Sequence, residues 1–117
     1  MKRIALFGLL AMSAGLISAS EFKPLTGQYT LTGPSLQDAP ADEPRDRVLF
    51  FLEGDAARDV YRGMTAEAKP QVCAPVSAVV KSAGGMECMF DKSDDSYACW
   101  ISVRLDSGEG VHTDVPC

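Results

Sequence analysis

Four cysteines in the C-terminal half of this 117-residue chain constrain its fold more than any other feature. Cys73, Cys88, Cys99 and Cys117 are separated by 15, 11 and 18 positions. Structural zinc sites favour cysteine pairs about two to four residues apart, so these spacings favour disulfides over a metal site. An even cysteine count in a small exported chain is typical of a domain stapled by disulfides, here two.

One of the three disulfide pairings has a geometric argument. Two strands are predicted on either side of a four-residue turn at 92–95, and counting back from that turn places Cys88 directly opposite Cys99. Facing Cβ atoms on paired strands lie about 4.5–5.5 Å apart, which is close to disulfide geometry. We favour Cys88–Cys99 with Cys73–Cys117. The sequential pairing, Cys73–Cys88 with Cys99–Cys117, stays open because a change of one residue in the loop would break the facing arrangement.

The first twenty residues have the pattern of a secretory signal peptide. A basic head at Lys2 and Arg3 precedes an apolar run over 4–17, and small residues lead up to Ser20. This run is shorter than the roughly 20 apolar residues of a membrane span, and no cysteine follows it to carry a lipid anchor. We therefore expect cleavage near Ser20, a single domain over 21–117, a periplasmic or secreted location and no stable membrane anchor.

Loss of the signal peptide would make the remaining domain more acidic. The signal peptide contains two basic residues, so the remaining domain has 9 Lys and Arg and 16 Asp and Glu. Its net charge is therefore −7, compared with −5 for the full chain. Such a surface repels phosphate groups, which disfavours nucleic acid and anionic membranes as partners. It attracts a basic protein partner, although the charge also serves solubility. The absence of Asn and the many Ala residues suggest a bacterial source.

Strand patterns cover much of the segment 21–117. Alternation around Tyr29 and Leu31 predicts a half-buried strand, and the unbroken apolar run 48–52 predicts a strand covered on both faces. Glycines and prolines separate further strand-like stretches. These further strands are predicted at 76–81, 86–91, 96–105 and 111–117.

One helix is predicted after the apolar run. Asp55 is a suitable N-cap, and Pro70 ends the helix. Gly63 either weakens its middle or splits it, with Thr65 as the cap of a second short turn. The predicted fold class is therefore α+β, with a small, mostly antiparallel sheet of about five strands, one short helix and two disulfides. The apolar side chains of the predicted helix recur on one face: Ala57, Val60, Tyr61, Met64 and Ala68.

The candidate contact residues lie in two acidic loops and at one aromatic position. The loop 34–46 contains three prolines and exceeds the usual length of a connection, so it is either a recognition loop or a solvated linker. Trp100 follows Cys99 and faces the other side of the strand. It lies either on an exposed face, as an interface anchor, or beneath the helix as part of the core, and we favour the core. The full candidate set is Asp38, Asp42, Glu43, Asp46, Asp91, Asp94, Asp95 and Trp100.

No catalytic or metal-binding set is recognisable in the sequence. His112 is the single imidazole, and no nucleophile motif accompanies it. The turn at 91–95 resembles a calcium loop only in its aspartates, because Ser96 and Ser102 stand where that loop needs Gly and Glu. We therefore expect no enzyme activity, no cofactor and no metal.

The most specific functional expectation is a small exported binding protein. Export, an acidic disulfide-stapled domain and the lack of a catalytic set together favour a periplasmic inhibitor or immunity-type protein acting on a basic partner. One alternative is a ligand carrier or structural protein of the envelope, with an apolar pocket behind the long loop. The other is a small hydrolase that uses carboxylates or His112.

Overall fold

The computed structural model, which describes residues 20–71 and 77–112, is an α+β fold with one helix against a six-stranded antiparallel sheet. The fold class is as predicted, with one more strand than expected in the described part. The strands are β1 (Thr26–Thr32), β2 (Arg47–Glu53), β3 (Lys69–Pro70), β4 (Ala78–Ala83), β5 (Met86–Asp91) and β6 (Ser96–Arg104). The helix α1 (Gly54–Gly63) follows β2, and the order across the sheet is β1-β2-β6-β5-β4-β3.

The apolar run lies in β2, between β1 and β6. Leu52 is buried in the core cluster beneath α1, and Leu49 is buried on the opposite face of the strand. Phe50 shares the face of Leu52 but stays partly exposed. The strand is therefore covered on both faces, as predicted, but only along part of its length.

The strand around Tyr29 is confirmed, but its predicted half-burial is wrong. β1 forms an edge of the sheet, and Tyr29 and Leu31 are both exposed. These two side chains are exposed because of the position of α1, which packs mainly against β6 and makes fewer contacts with β5 and β2. The helix is too short and too central to shield the edge strand.

The helix begins two residues earlier than predicted. Its N-cap is Glu53, and Asp55 lies in the first turn, so the assignment of Asp55 as N-cap is wrong. Gly54 has a φ of +62°, a left-handed backbone conformation that glycine adopts without strain. At this residue the chain turns directly from β2 into the helix. Asp55 forms an i,i+3 ion pair with Arg58 at 3.1 Å.

The helix also ends earlier than predicted, at Gly63, so Ala68 lies outside it. The amide of Met64 donates to carbonyls of the last turn. Lys81 of β4 reaches across and donates its Nζ to the carbonyls of Tyr61 and Met64, both at 3.1 Å. A cation at these carbonyls favours termination at this point, because it satisfies acceptors at the negative end of the helix.

The hairpin of β5 and β6 has the predicted register. Asp91 faces Ser96, and Cys88 faces Cys99 with a Cα–Cα distance of 4.0 Å. The two cysteines form a disulfide, so the sequential pairing is wrong. It is the single disulfide of the described residues. Cys73 and Cys117 lie outside them, and the second disulfide stays a prediction.

The predicted strands at 76–81 and 111–117 fare differently. β4 begins two residues later than expected. Of the strand predicted at 111–117, only 111 and 112 are among the described residues, and neither is in a strand; Gly110 before them forms an isolated bridge with Val103. The segment after β6 is held at the β4–β5 turn. The carbonyl oxygen of Gly85 accepts a hydrogen bond from the amide of Ser102, and the carbonyl oxygen of Ser102 accepts one from the amide of Val111, both at 2.9 Å. A Cβ on Gly85 would lie 2.5 Å from the Ser102 carbonyl oxygen, so the close approach requires glycine.

The segment 1–19 lies outside the described residues, so the signal peptide and export stay predictions. Among the residues described, no helix combines the length and the apolar character needed to cross a membrane.

Candidate functional site

The two acidic loops lie at opposite ends of the sheet. The loop 33–46 leads into β2 at Arg47, which faces Arg104 at the end of β6, whereas the turn 92–95 leads into β6 at Ser96. Nine residues of strand separate these ends, about 27 Å at a rise of about 3.3 Å per residue. The structure therefore does not bring the two sets of candidate aspartates and glutamates into one surface.

The long loop is fixed by hydrogen bonds of its own. Ser35 donates its amide and its hydroxyl to the two carboxylate oxygens of Glu43, at 3.0 and 2.8 Å. Leu36 donates its amide to Gly33 and begins a 3-10 turn that ends at Asp38. These contacts give the loop a defined conformation, which a freely solvated linker would not have.

The acidic residues of the long loop differ in their environments. Glu43 accepts the hydrogen bonds of Ser35, and Asp46 pairs with Arg47 at 3.2 Å. Asp38 and Asp42 are exposed. Of the four acidic candidates in this loop, these two are best placed to meet a partner.

The hairpin turn is built on Asp91. Its Oδ1 accepts hydrogen bonds from the Ser77 hydroxyl at 2.6 Å and from the Ser93 hydroxyl and amide at 2.7 and 3.0 Å. These three donors, the Ser77 hydroxyl most of all, hold the pKa of Asp91 below its usual value. Asp91 therefore stabilises the turn, and Asp94 and Asp95 are its exposed acids.

The lowered pKa of Asp91 predicts a pH dependence of stability. A carboxyl group whose pKa is lower in the folded state than in the unfolded state, where it is about 3.9, stabilises the fold at pH values above the unfolded pKa. This stabilisation is lost as the pH falls through the pKa of the folded state. We expect Asp91→Asn to be less stable than the parent at pH 7, with a smaller difference at pH 3. Urea unfolding of both proteins at each pH measures this. Asp42→Asn is the matched control, and an unchanged gap for Asp91→Asn at pH 3 would contradict the assignment.

Trp100 lies on the sheet face opposite the helix. The core cluster beneath α1 contains Cys99, and Trp100 points the other way from the same strand, so the helix does not cover it. Trp100 is half-buried, and its ring centroid lies 5.1 Å from that of Phe51. The favoured expectation that the helix covers Trp100 is therefore wrong, because the helix packs on the face of Cys99.

A groove of about 430 Å³ opens on this face. The β1–β2 and β2–β6 registers place Gln28, Phe51 and Trp100 in one row across three strands. Gln37 of the long loop forms a side wall, and exposed Asp38 follows it in the same turn. All the lining residues are uncharged: Gln28, Tyr29, Thr30, Gln37, Leu49, Phe51 and Trp100.

The groove suits an uncharged group with an apolar body. Aromatic and aliphatic side chains supply the contact surface, while a few amide and hydroxyl groups can orient what binds, as in most ligand sites. Sequence reasoning found Trp100 but missed Gln28, Gln37 and Phe51. Period-two alternation could have placed the strand residues on one face, but no local signal shows that these three strands are neighbours.

The catalytic alternatives gain no assembled site in the described residues. His112 is exposed near the end of the described chain, and Asp55 is engaged with Arg58. Within residues 20–71 and 77–112, no three His, Cys, Asp or Glu side chains are grouped so that they could hold a metal ion.

No known protein family, curated protein or solved structure matches this chain. The functional inference therefore depends on the chemistry of the described surface.

Proposed function

We propose that the protein is a small exported binding protein that holds an apolar or aromatic side chain of a basic partner in the groove. An inhibitor or immunity-type protein acting on a basic lytic enzyme or toxin is the most specific form of this proposal. The single observation that carries it is the uncharged, aromatic-lined groove of about 430 Å³ on the open sheet face.

The anatomy of the groove supports a protein partner. Interfaces concentrate their binding energy in a central pocket that receives an anchor side chain, and a polar rim surrounds that pocket. Phe51 and Trp100 provide such a pocket on paired strands, which hold their positions better than a loop would. Asp38 contributes a charged group close to Gln37 at the side of the groove.

The charge of the chain supports a basic partner. The domain 21–117 is expected to carry a net charge of −7, and the acids Asp38 and Asp42 are exposed in the loop beside the groove. A negative electrostatic field accelerates the approach of a basic protein and disfavours the binding of acidic competitors. Charge would thus select the partner, and the groove would hold it.

The test is affinity capture of exported proteins from the source cells on the purified protein, at low and at high salt. We expect a basic protein to be retained at low salt and released by salt. Phe51→Ala should weaken its binding by about thirtyfold, equivalent to about 2 kcal/mol for the loss of an anchor contact. Gln37→Arg should also weaken binding, because it places a positive charge at the groove while altering an exposed side chain.

Ala83→Arg is the matched control, since it adds the same charge at an exposed position on β4. Its binding should equal that of the parent. Retention of the same protein by both groove variants would show that the groove is not the contact surface. Retention of no protein by the parent at low salt would refute the partner proposal.

A ligand carrier is the second candidate, because the groove itself has no charged lining residue. An uncharged solvatochromic dye distinguishes it. Trp100 is the single tryptophan, so quenching of its emission would report binding in the groove. Salt-independent dye binding with no captured protein favours the carrier.

A further inference from the structure

The two edges of the sheet are protected differently. One edge ends in β3, a two-residue strand that consists of Lys69 and Pro70. Short length, lysine and proline are three devices that prevent an edge strand from pairing with another chain. The other edge is β1, with seven residues and the sequence TGQYTLT, which contains neither a charge nor a proline. Across the described residues, no strand pairs with the outer side of β1.

Beside this open edge lies an exposed apolar patch, which consists of Tyr29, Leu31 and Phe50. Their exposed fractions are 71%, 50% and 36%. The registers place all three on the helix side of the sheet, where α1 reaches Leu52 but not the patch. The rings of Tyr29 and Phe50 lie 6.4 Å apart, so the patch is continuous between β1 and β2.

We propose that a second copy of this chain pairs its β1 with this β1 in the antiparallel sense. Pairing about Tyr29 would set Gln28 of each copy opposite Thr30 of the other. No charge then faces a like charge, although each copy is acidic as a whole. The two-fold symmetry, the commonest in homodimers, sets the two Tyr29 side chains opposite each other, so the two patches join side by side on the helix side of one sheet.

The area available fits a weak dimer. The exposed part of Tyr29, which faces its own copy across the two-fold axis, is roughly 140 Å², taking about 200 Å² for a whole aromatic side chain. A seven-residue strand edge is about 24 Å long and adds a similar area. With part of Leu31, the two copies would bury roughly 700 Å², below the roughly 1,000 Å² of a stable specific interface, so the proposed dimer is weak and transient.

The proposed dimer leaves the groove accessible. The side chains of Gln28 and Thr30 project to the groove side of β1, and those of the patch project to the helix side. Tyr29 belongs to the patch and also borders the groove. A two-fold axis perpendicular to the paired strands keeps the same face of both copies on one side. The dimer would therefore present two grooves on one continuous sheet, and it does not depend on what the groove binds.

Sedimentation equilibrium of the purified exported protein, from about 1 μM to 1 mM, tests the proposal. We expect a monomer–dimer equilibrium in the parent. Tyr29→Lys should raise the dissociation constant at least tenfold, because it sets two like charges opposite each other at the two-fold axis. Leu31→Lys should weaken pairing less, because position 31 faces Gly27 of the other copy. Both side chains are exposed, and an unchanged circular dichroism spectrum would verify that the monomers fold. Ala83→Lys adds the same charge away from β1 and should dimerise like the parent.

Hydrogen exchange locates the interface. The outward-pointing amides of β1 should gain protection as the protein concentration rises, while those of β4 should not change. A parent that stays monomeric at 1 mM overturns the proposal. So does a dimer that persists in Tyr29→Lys, or a dimer that forms without protection of β1.

Discussion

Replacing Cys88 and Cys99 together by alanine is expected to lower the free energy of unfolding by about 3 kcal/mol. The disulfide joins residues 11 positions apart and restricts the unfolded chain. Both cysteines are fully buried, and they pack in the core cluster with Ala57 and Tyr61 of the helix. The double variant therefore loses the cross-link and leaves space where the sulfur atoms were.

Urea unfolding followed by Trp100 emission measures the effect. The matched control is Cys88→Ala with Cys99→Val, which also lacks the cross-link but restores part of the lost volume. The difference between the two double variants gives the packing contribution, which should be the smaller part. A stability within 1 kcal/mol of the parent would show that the cross-link between β5 and β6 contributes little to the fold.

Tyr61→Ala is expected to destabilise the protein by about 3–5 kcal/mol, the usual range for removing a buried aromatic side chain. Tyr61 is the largest buried residue of α1, and its ring centroid lies 6.0 Å from that of Phe90 and 5.5 Å from that of Tyr97. The Lys81 ammonium lies 4.4 Å from the centre of the same ring. Alanine would remove these contacts together and leave a cavity between helix and sheet.

Tyr61→Phe is the control for this substitution, because it keeps the ring and its contacts while removing the hydroxyl group. We expect its loss of stability to be below about 1.5 kcal/mol, as for a volume-conserving change. Chemical denaturation of the parent and both variants tests the comparison. Equal losses for Ala and Phe would show that the ring packing is not what secures the helix.

The functional surface was less accessible to sequence reasoning than the fold class. Exposed acids were expected in both loops, but their separation by the length of β6 depends on which strands pair. The groove brings Phe51 to Trp100, residues 49 positions apart, and adds Gln28 from a third strand. Contacts at such separation leave no periodic trace in the sequence, because periodicity reports only which residues of one element share a face.

The sequence by itself determined the local features of this protein. A four-residue turn and the two-residue period of paired strands were enough to place Cys88 opposite Cys99, because both rules act between near neighbours in the chain. The α+β class followed from the same kind of pattern. The tertiary structure supplied a determinant of the helix end besides the local signal of Gly63, since Lys81 of a distant strand binds the last carbonyls. It also decided that β1 lies at an edge with Tyr29 exposed, because burial depends on what packs over a strand and not on the alternation within it.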